Sequence, residues 1–293
     1  MGTNPGQLSL LEMARSESPE QDDASLVGRI AAETIERLAE TPPIDLDVVA
    51  AFRDINDIRL EDLDVAGSLT PEGNGLVMRL RRSDSPARRR FTGFHEVAHT
   101  FQPGYRDSRQ LRCDAFGLPA KGKPDKEVLS DLGAVELLMP REFVLADISA
   151  AEFEIATVEA LADSYQSSIQ ASAYRMSELW PEPSIVIVLE PGLRKDEVGK
   201  EHAEPRLRVR HAIGQGAWPH VPNNKSADDA GPLVEAYESA AAVGARGNLS
   251  DLARGGVGEV DISAKGFDFR GADGVTRRRV LAIARRPIRK GKR

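Results

Sequence analysis

Apolar residues recur at helical spacing in "SLVGRIAAETIERLAE" (25–40), with Ser25 placed as an N-cap, and "TPP" (41–43) ends that segment. "IDLDVVAAFRDI" resumes the pattern as a second amphipathic helix. Two shorter runs, "IRLEDLDVAGSL" and "GLVMRLRR", read as strands on either side of the turn "TPEGNG". "SDSP" then offers Asp84 or Ser85 as N-cap and Pro86 for the first turn, so a helix opens there and runs to Phe101, before "QPGY". A loop over 104–124 leads to "DKEVLSDLGAVELLMP", helical as far as Pro140, and more helical stretches follow up to Trp180. Beyond "PEP" the period changes. "SIVIVLE", "RLRVRHA", "GEVDISAKGFDF" and "TRRRVLAIA" read as strands, with one short helix near "PLVEAYESA".

The pattern predicts an α+β protein in three parts. Residues 1–23, rich in Ser, Gly, Pro and acid, are expected to be a disordered tail. Residues 24–180 hold the helices and the first strands, and residues 181–293 form a small α+β domain ending in a basic tail. With 293 residues the chain is long enough for two domains.

Composition narrows the setting. No run approaches the roughly 18 apolar residues that a membrane span needs, and the first residues lack the basic start of a secretory signal. Cys113 is the single cysteine, which rules out an internal disulfide and fits a reducing compartment, so a cytoplasmic location is expected. A net charge of −7 argues against a protein that coats nucleic acid as a whole. The charge is uneven, however: Arg277 to Arg279, then Arg285, Arg286, Arg289, Lys290, Lys292 and Arg293 make the end strongly cationic.

The chemistry concentrates in "FTGFHEVAHTF" (91–101). His95 and His99, four apart on a helix, lie one turn apart on one face and can grip the same metal ion. Glu96 is displaced around the helix, so it can reach a water held by the ion without being a ligand. A catalytic zinc takes three protein ligands and keeps one position open. The best source of the third is Glu127, 28 residues after His99, and Asp131 follows one turn later on the same face. An acid there can accept the remaining N–H of a ligating histidine and fix its orientation.

The order "IDLDVVAAFRDI…AGSL…RRRFTGFHEVAHTF…EVLSDLGAVELLMP…LADSYQSSIQASAYRM" resembles the ImmA/IrrE metallopeptidases over about residues 30–179. The resemblance implies a zincin-like metallopeptidase domain with a helical bundle, often followed by a regulatory domain. It implies His95, His99 and Glu127 as metal ligands and Glu96 as general base, with Asp131 where the family commonly has an acid or amide. Gly133 and Phe94 depart from it, the first replacing a bulky residue and the second a smaller one. Members of this family typically cleave a helix-turn-helix repressor in stress, phage or mobile-element responses. A Zn2+ cofactor is expected, with Mn2+ or another divalent ion as the alternative.

Zincin clefts bind extended peptide by main-chain pairing along a sheet edge, and "GLVMRLRR" is the expected edge strand. The strands after Pro181 suggest a GAF/PAS-like sensor module. Its basic end, with Trp218, Phe267 and Phe269 as possible stacking surfaces, suits an anionic or single-stranded nucleic-acid activator. The alternative function is a DNA-binding regulator that uses the fold without hydrolysis. "LADSYQSSIQASAYRM" has a helix-turn-helix look, but Arg175 stands nearly alone among acids, and packing is the expected role. His202, His211 and His220 lack ligand spacing, Cys113 is expected to be an idle thiol, and Tyr105 and the loop arginines are candidates for stabilising the oxyanion.

Overall fold

The computed structural model describes residues 8–105, 111–113, 125–239, 241–249, 252–253, 258–270 and 275–286. Its first element is a helix where disorder was expected. The Ser9 hydroxyl accepts from Glu12 N at 3.2 Å while the Glu12 carboxylate accepts from Ser9 N at 2.8 Å. This capping box opens α1 (Leu10–Glu17). Leu11 and Ala14 are buried, and Leu11 N donates to Phe101 O at 2.9 Å. Arg15 grips Asp23 with two hydrogen bonds of 2.7 and 2.6 Å. The acids that looked like the mark of a disordered tail are therefore caps and ion-pair partners, and the expectation of disorder is corrected for residues 9–23. Residues 1–7 lie outside the described residues.

Asp22, rather than Ser25, caps α2 (Asp23–Leu38), accepting from Ser25 N at 2.8 Å. This helix buries Leu26, Val27, Ile30, Ala31 and Ile35 along one stripe. Asp45 caps the shorter α3 (Leu46–Phe52).

The single run "IRLEDLDVAGSL" is two strands, β1 (Ile55–Glu61) and part of β2 (Gly67–Glu72), and β3 (Gly75–Arg81) follows. Then come α4 (Pro86–His99) and the short β4 (Leu111–Cys113). The sheet order is β1-β3-β2-β4, with β1 parallel to β3 and the other pairs antiparallel. The expected edge strand, β3, is thus interior. Gly75 to Met78 are buried without alternation, as a strand covered on both faces requires. Among the described residues the outer strands are β1 and β4.

Four helices follow: α5 (Asp125–Leu138), α6 (Arg141–Ile148), α7 (Ile155–Tyr165) and α8 (Ile169–Leu179). Gly133 on α5 explains its departure from the family pattern. A Cβ there would stand 2.7 Å from Ala98 Cβ and 3.2 Å from Val27 Cγ1, so the missing side chain lets α5 lie close against α4 and α2.

The chain packs as two compact units, one of Met1–Val144 with Ala162–Ser168, the other of Leu145–Leu161 with Ile169–Arg293. Helix gives way to strand between Leu179 and Ser184. The second unit holds β5 (Ser184–Gly192), β6 (Arg206–Gln215), α9 (Pro232–Ser239), β7 (Val243–Asn248), β8 (Glu259–Arg270) and β9 (Thr276–Arg285). They form a five-stranded antiparallel sheet in the order β6-β5-β9-β8-β7. Ile185, Ile187, Leu189, Val260, Ile262, Val280 and Ala282 line one face and pack with Leu233 and Ala236 of α9. This is the expected small α+β module. Its unforeseen member is β7, "VGARGN", which has Val243 as its one β-branched residue, no aromatic and two glycines, and exists by pairing with β8. On its other side the sheet takes the acids of residues 152–159: Ile155 N donates to Ser263 Oγ at 3.0 Å and Lys265 pairs with Glu159 at 2.5 Å.

Candidate metal centre

Ser85 caps α4, accepting from Arg88 N at 3.3 Å, and Pro86 stands in the first turn. From Phe91 to His99 every residue of the helix is buried, so its polar side chains sit inside the first unit. The rings of His95 and His99 are 4.7 Å apart and nearly perpendicular. Helix α5 passes close by and presents Glu127 to both: Oε2 is 3.2 Å from His95 Nε2 and Oε1 is 3.4 Å from His99 Nε2.

These three side chains form a group whose donor atoms all lie within 4.8 Å of one another. Atoms bound at ~2.0–2.1 Å to one tetrahedral ion are roughly 3.4 Å apart. The histidine–glutamate distances match that spacing, and the set of two imidazole nitrogens and one carboxylate is chemically suited to a divalent ion. The cluster can hold a metal.

The histidines are held from behind. His95 Nδ1 is 2.9 Å from Asp131 Oδ1. His99 Nδ1 is 2.9 Å from Ser130 Oγ, which in turn accepts from Gln102 Nε2 at 2.7 Å. The same amide nitrogen donates to Lys126 O at 2.8 Å. Asp131 stands where the spacing predicted. Ser130 and Gln102 escaped the sequence reading, because a lone serine or glutamine carries no metal signature. The one signal was that Ser130 lies three residues after Glu127, on the same helical face.

Glu96 is fully buried, and neither of its carboxylate oxygens has a hydrogen-bond partner among the described residues. Burial pushes its carboxyl up to about 8, against the pull of His95 and with a further push from Glu127. Its neighbour across the sheet is Gly67 of β2, where a Cβ would stand 3.1 Å from Glu96 Oε1 and 2.5 Å from Thr92 Cγ2. The backbone of β2 therefore approaches the carboxylate as closely as a side-chain-free position permits.

The remaining sequence candidates are placed elsewhere or lie outside the described residues. Cys113 lies on β4, and its side chain is outside the described residues, as are Arg106 and Arg109 of the loop. Tyr105 lies just beyond the C-terminal end of α4. His202 and His220 are exposed, while half-buried His211 bonds Gln170 at 3.2 Å within the second unit. Arg175 is 2% exposed and pairs with Glu178, which fits packing rather than DNA reading.

A zincin-like metallopeptidase domain is built in this way, with a buried helix carrying the histidines and the next helix supplying the last donor. Residues 47–177 match the family model of the IrrE N-terminal-like domain, Peptidase_M78. A solved structure described as a Mycobacterium tuberculosis transcriptional regulator aligns with a TM-score of 0.56, covering 94% of this chain and 80% of its own. At 14% identity, that likeness speaks for a shared fold alone. No curated protein matches the chain. No helix among the described residues is long and apolar enough to cross a membrane.

Proposed function

We propose that this protein is a zinc-dependent endopeptidase that works in the cytoplasm and cleaves a helix-turn-helix transcriptional repressor. The observation that carries the reading is the fully buried Glu96, without a hydrogen-bond partner among the described residues, beside a three-donor cluster of metal-binding geometry. A buried carboxylate of that kind is costly unless it has work to do. In this reading His95 and His99 hold the ion through Nε2, and Glu127 holds it through its carboxylate. A bound zinc, or manganese in its place, would acidify a water and polarise the scissile carbonyl. Glu96 takes the proton from the attacking water and passes it to the departing amide nitrogen. Asp131 accepts from His95 Nδ1 and keeps that ring turned toward the ion.

The substrate strand would add to β4, the outer strand among the described residues beside β2, whose Gly67 abuts Glu96. A repressor is favoured as substrate by the family match, and an intact Glu96 favours hydrolysis over DNA binding alone.

The second unit would regulate the first through an anionic activator, such as single-stranded nucleic acid. Half-buried Phe267 and Phe269 stand under Lys265 and Arg279 respectively, with Lys265 Nζ 5.4 Å from the Phe267 centroid. Arg279 also pairs with Glu190, and Arg278 with Asp268. The basic tail from Ile288 onward lies outside the described residues.

The test is cleavage of the helix-turn-helix repressor encoded nearest the gene, with zinc-loaded wild type and Glu96→Gln. The variant keeps the size of the side chain and loses the base, so metal content should stay while cleavage falls at least ~100-fold. Loss of metal from Glu96→Gln would make Glu96 a ligand and overturn the assignment of roles.

A further inference from the structure

Asp131 and Ser130 are consecutive on α5, and each meets the Nδ1 of a different histidine at 2.9 Å. Asp131 is a carboxylate and can serve His95 unaided. Ser130 is a hydroxyl, free to turn about its Cα–Cβ bond, and it has a partner of its own. The Lys126 carbonyl can only accept, so the Gln102 group that faces it at 2.8 Å is the amide nitrogen. Its two hydrogens go to Lys126 O and to Ser130 Oγ, the latter at 2.7 Å. Both Gln102 and Ser130 are buried, so these bonds are shielded from competing water.

We propose that Gln102 and Ser130 are positioning residues for the metal centre, acting as one unit on His99 and on the helix that carries Glu127. With His99 Nε2 turned to the ion, its hydrogen sits on Nδ1 and Ser130 Oγ accepts it. Gln102 occupies one lone pair of that oxygen and leaves the other for the histidine. Through its second hydrogen Gln102 also ties the end of the His95–His99 helix to Lys126, the residue just before Glu127. Lys126 Nζ returns the contact, donating to Pro103 O at 3.1 Å. A buried amide thus braces both sides of the 3.4 Å gap between His99 Nε2 and Glu127 Oε1. Ligands fixed in this manner lose less freedom on meeting the ion, which is how supporting hydrogen bonds raise affinity.

The inference rests on the metal reading above, and the experiment separates the two. Zinc affinity is measured by chelator competition in full-length wild type, Ser130→Ala, Ser130→Thr and Gln102→Met. The visible spectrum of the Co2+-substituted proteins and the unfolding of the metal-free proteins are recorded beside it. Ser130→Ala and Gln102→Met should bind zinc ~10-fold more weakly or worse, with a changed cobalt spectrum and unaltered metal-free unfolding. Ser130→Thr keeps the hydroxyl and should recover most of the affinity. Wild-type affinity in both Ser130→Ala and Gln102→Met would overturn the proposal while leaving the metal centre standing. It is also overturned if metal-free stability drops in both variants and Ser130→Thr recovers nothing, since the pair would then be packing only. A wild type that binds no ion would sink the metal reading itself.

Discussion

Gly67→Ala adds one methyl group at the point where β2 meets the face of α4 that carries Thr92 and Glu96. The new Cβ would stand 2.5 Å from Thr92 Cγ2, 3.1 Å from Glu96 Oε1 and 3.3 Å from Arg79 O. Comfortable carbon contacts are about 3.5–4.0 Å, so the threonine methyl is roughly 1 Å too near and the carboxylate oxygen a few tenths. Arg79 O is backbone in the adjacent strand and cannot give way. The relief must come from α4 or from its side chains. Overpacking of this kind costs ~1–3 kcal/mol of stability, which a chain of this size tolerates. Catalysis should suffer more, because a shift approaching 1 Å in a catalytic group costs on the order of 100-fold. On the proposed function, the expectation is a folded protein with its metal retained and peptide cleavage reduced ~30–100-fold, mostly in kcat. Adding Thr92→Ser removes Cγ2 and the larger clash, and leaves the 3.1 Å contact with Glu96. The double variant should thus regain stability and only part of the activity. Wild-type cleavage by Gly67→Ala, with metal and fold intact, would refute the idea that β2 fixes the position of Glu96.

Three other outcomes follow from the same geometry. His95→Ala or His99→Ala should abolish the binding of about one divalent ion per chain, and equal occupancy in wild type and both variants by metal analysis would refute the ligand assignment. Asp131→Asn should cost ~10-fold or more in zinc affinity or cleavage rate, since the amide offers His95 Nδ1 a weaker acceptor; titration against a chelator checks it. Cleavage by the full chain should rise on adding single-stranded DNA, less so as salt increases, and a version ending at Arg286 should lose most of that rise. Equal rates with and without DNA, in both versions, would show the tail to be inert.

What the sequence disclosed and what it hid divide along a physical line. Helix α4 was readable because its signals are local: Ser85 and Pro86 start it, and the histidine spacing declares a shared face. Glu127 and Asp131 were readable for the same reason, being one turn apart on a strongly helical stretch. Helix α1 was not, since Ser, Pro and acid mark disorder and N-caps alike, and the difference lies in whether Leu11 finds a core. The place of β3 inside its sheet depends on β1 pairing with it in parallel, a contact between distant segments that no local pattern encodes. Ser130 and Gln102 acquire meaning only when two helices meet. The strand β7 exists because β8 offers it an edge.

The carboxylate donor Glu127 and the two groups behind the histidines, Ser130 and Asp131, all ride on α5, while both histidines and Glu96 ride on α4. Mechanically the centre is a hinge between two rods, and a roll of one on the other would move a donor and both supports together. Gly133, bare against Ala98, is one place where the rods come close. The bare position there is what lets the donor and both supports reach the histidines at hydrogen-bonding distance.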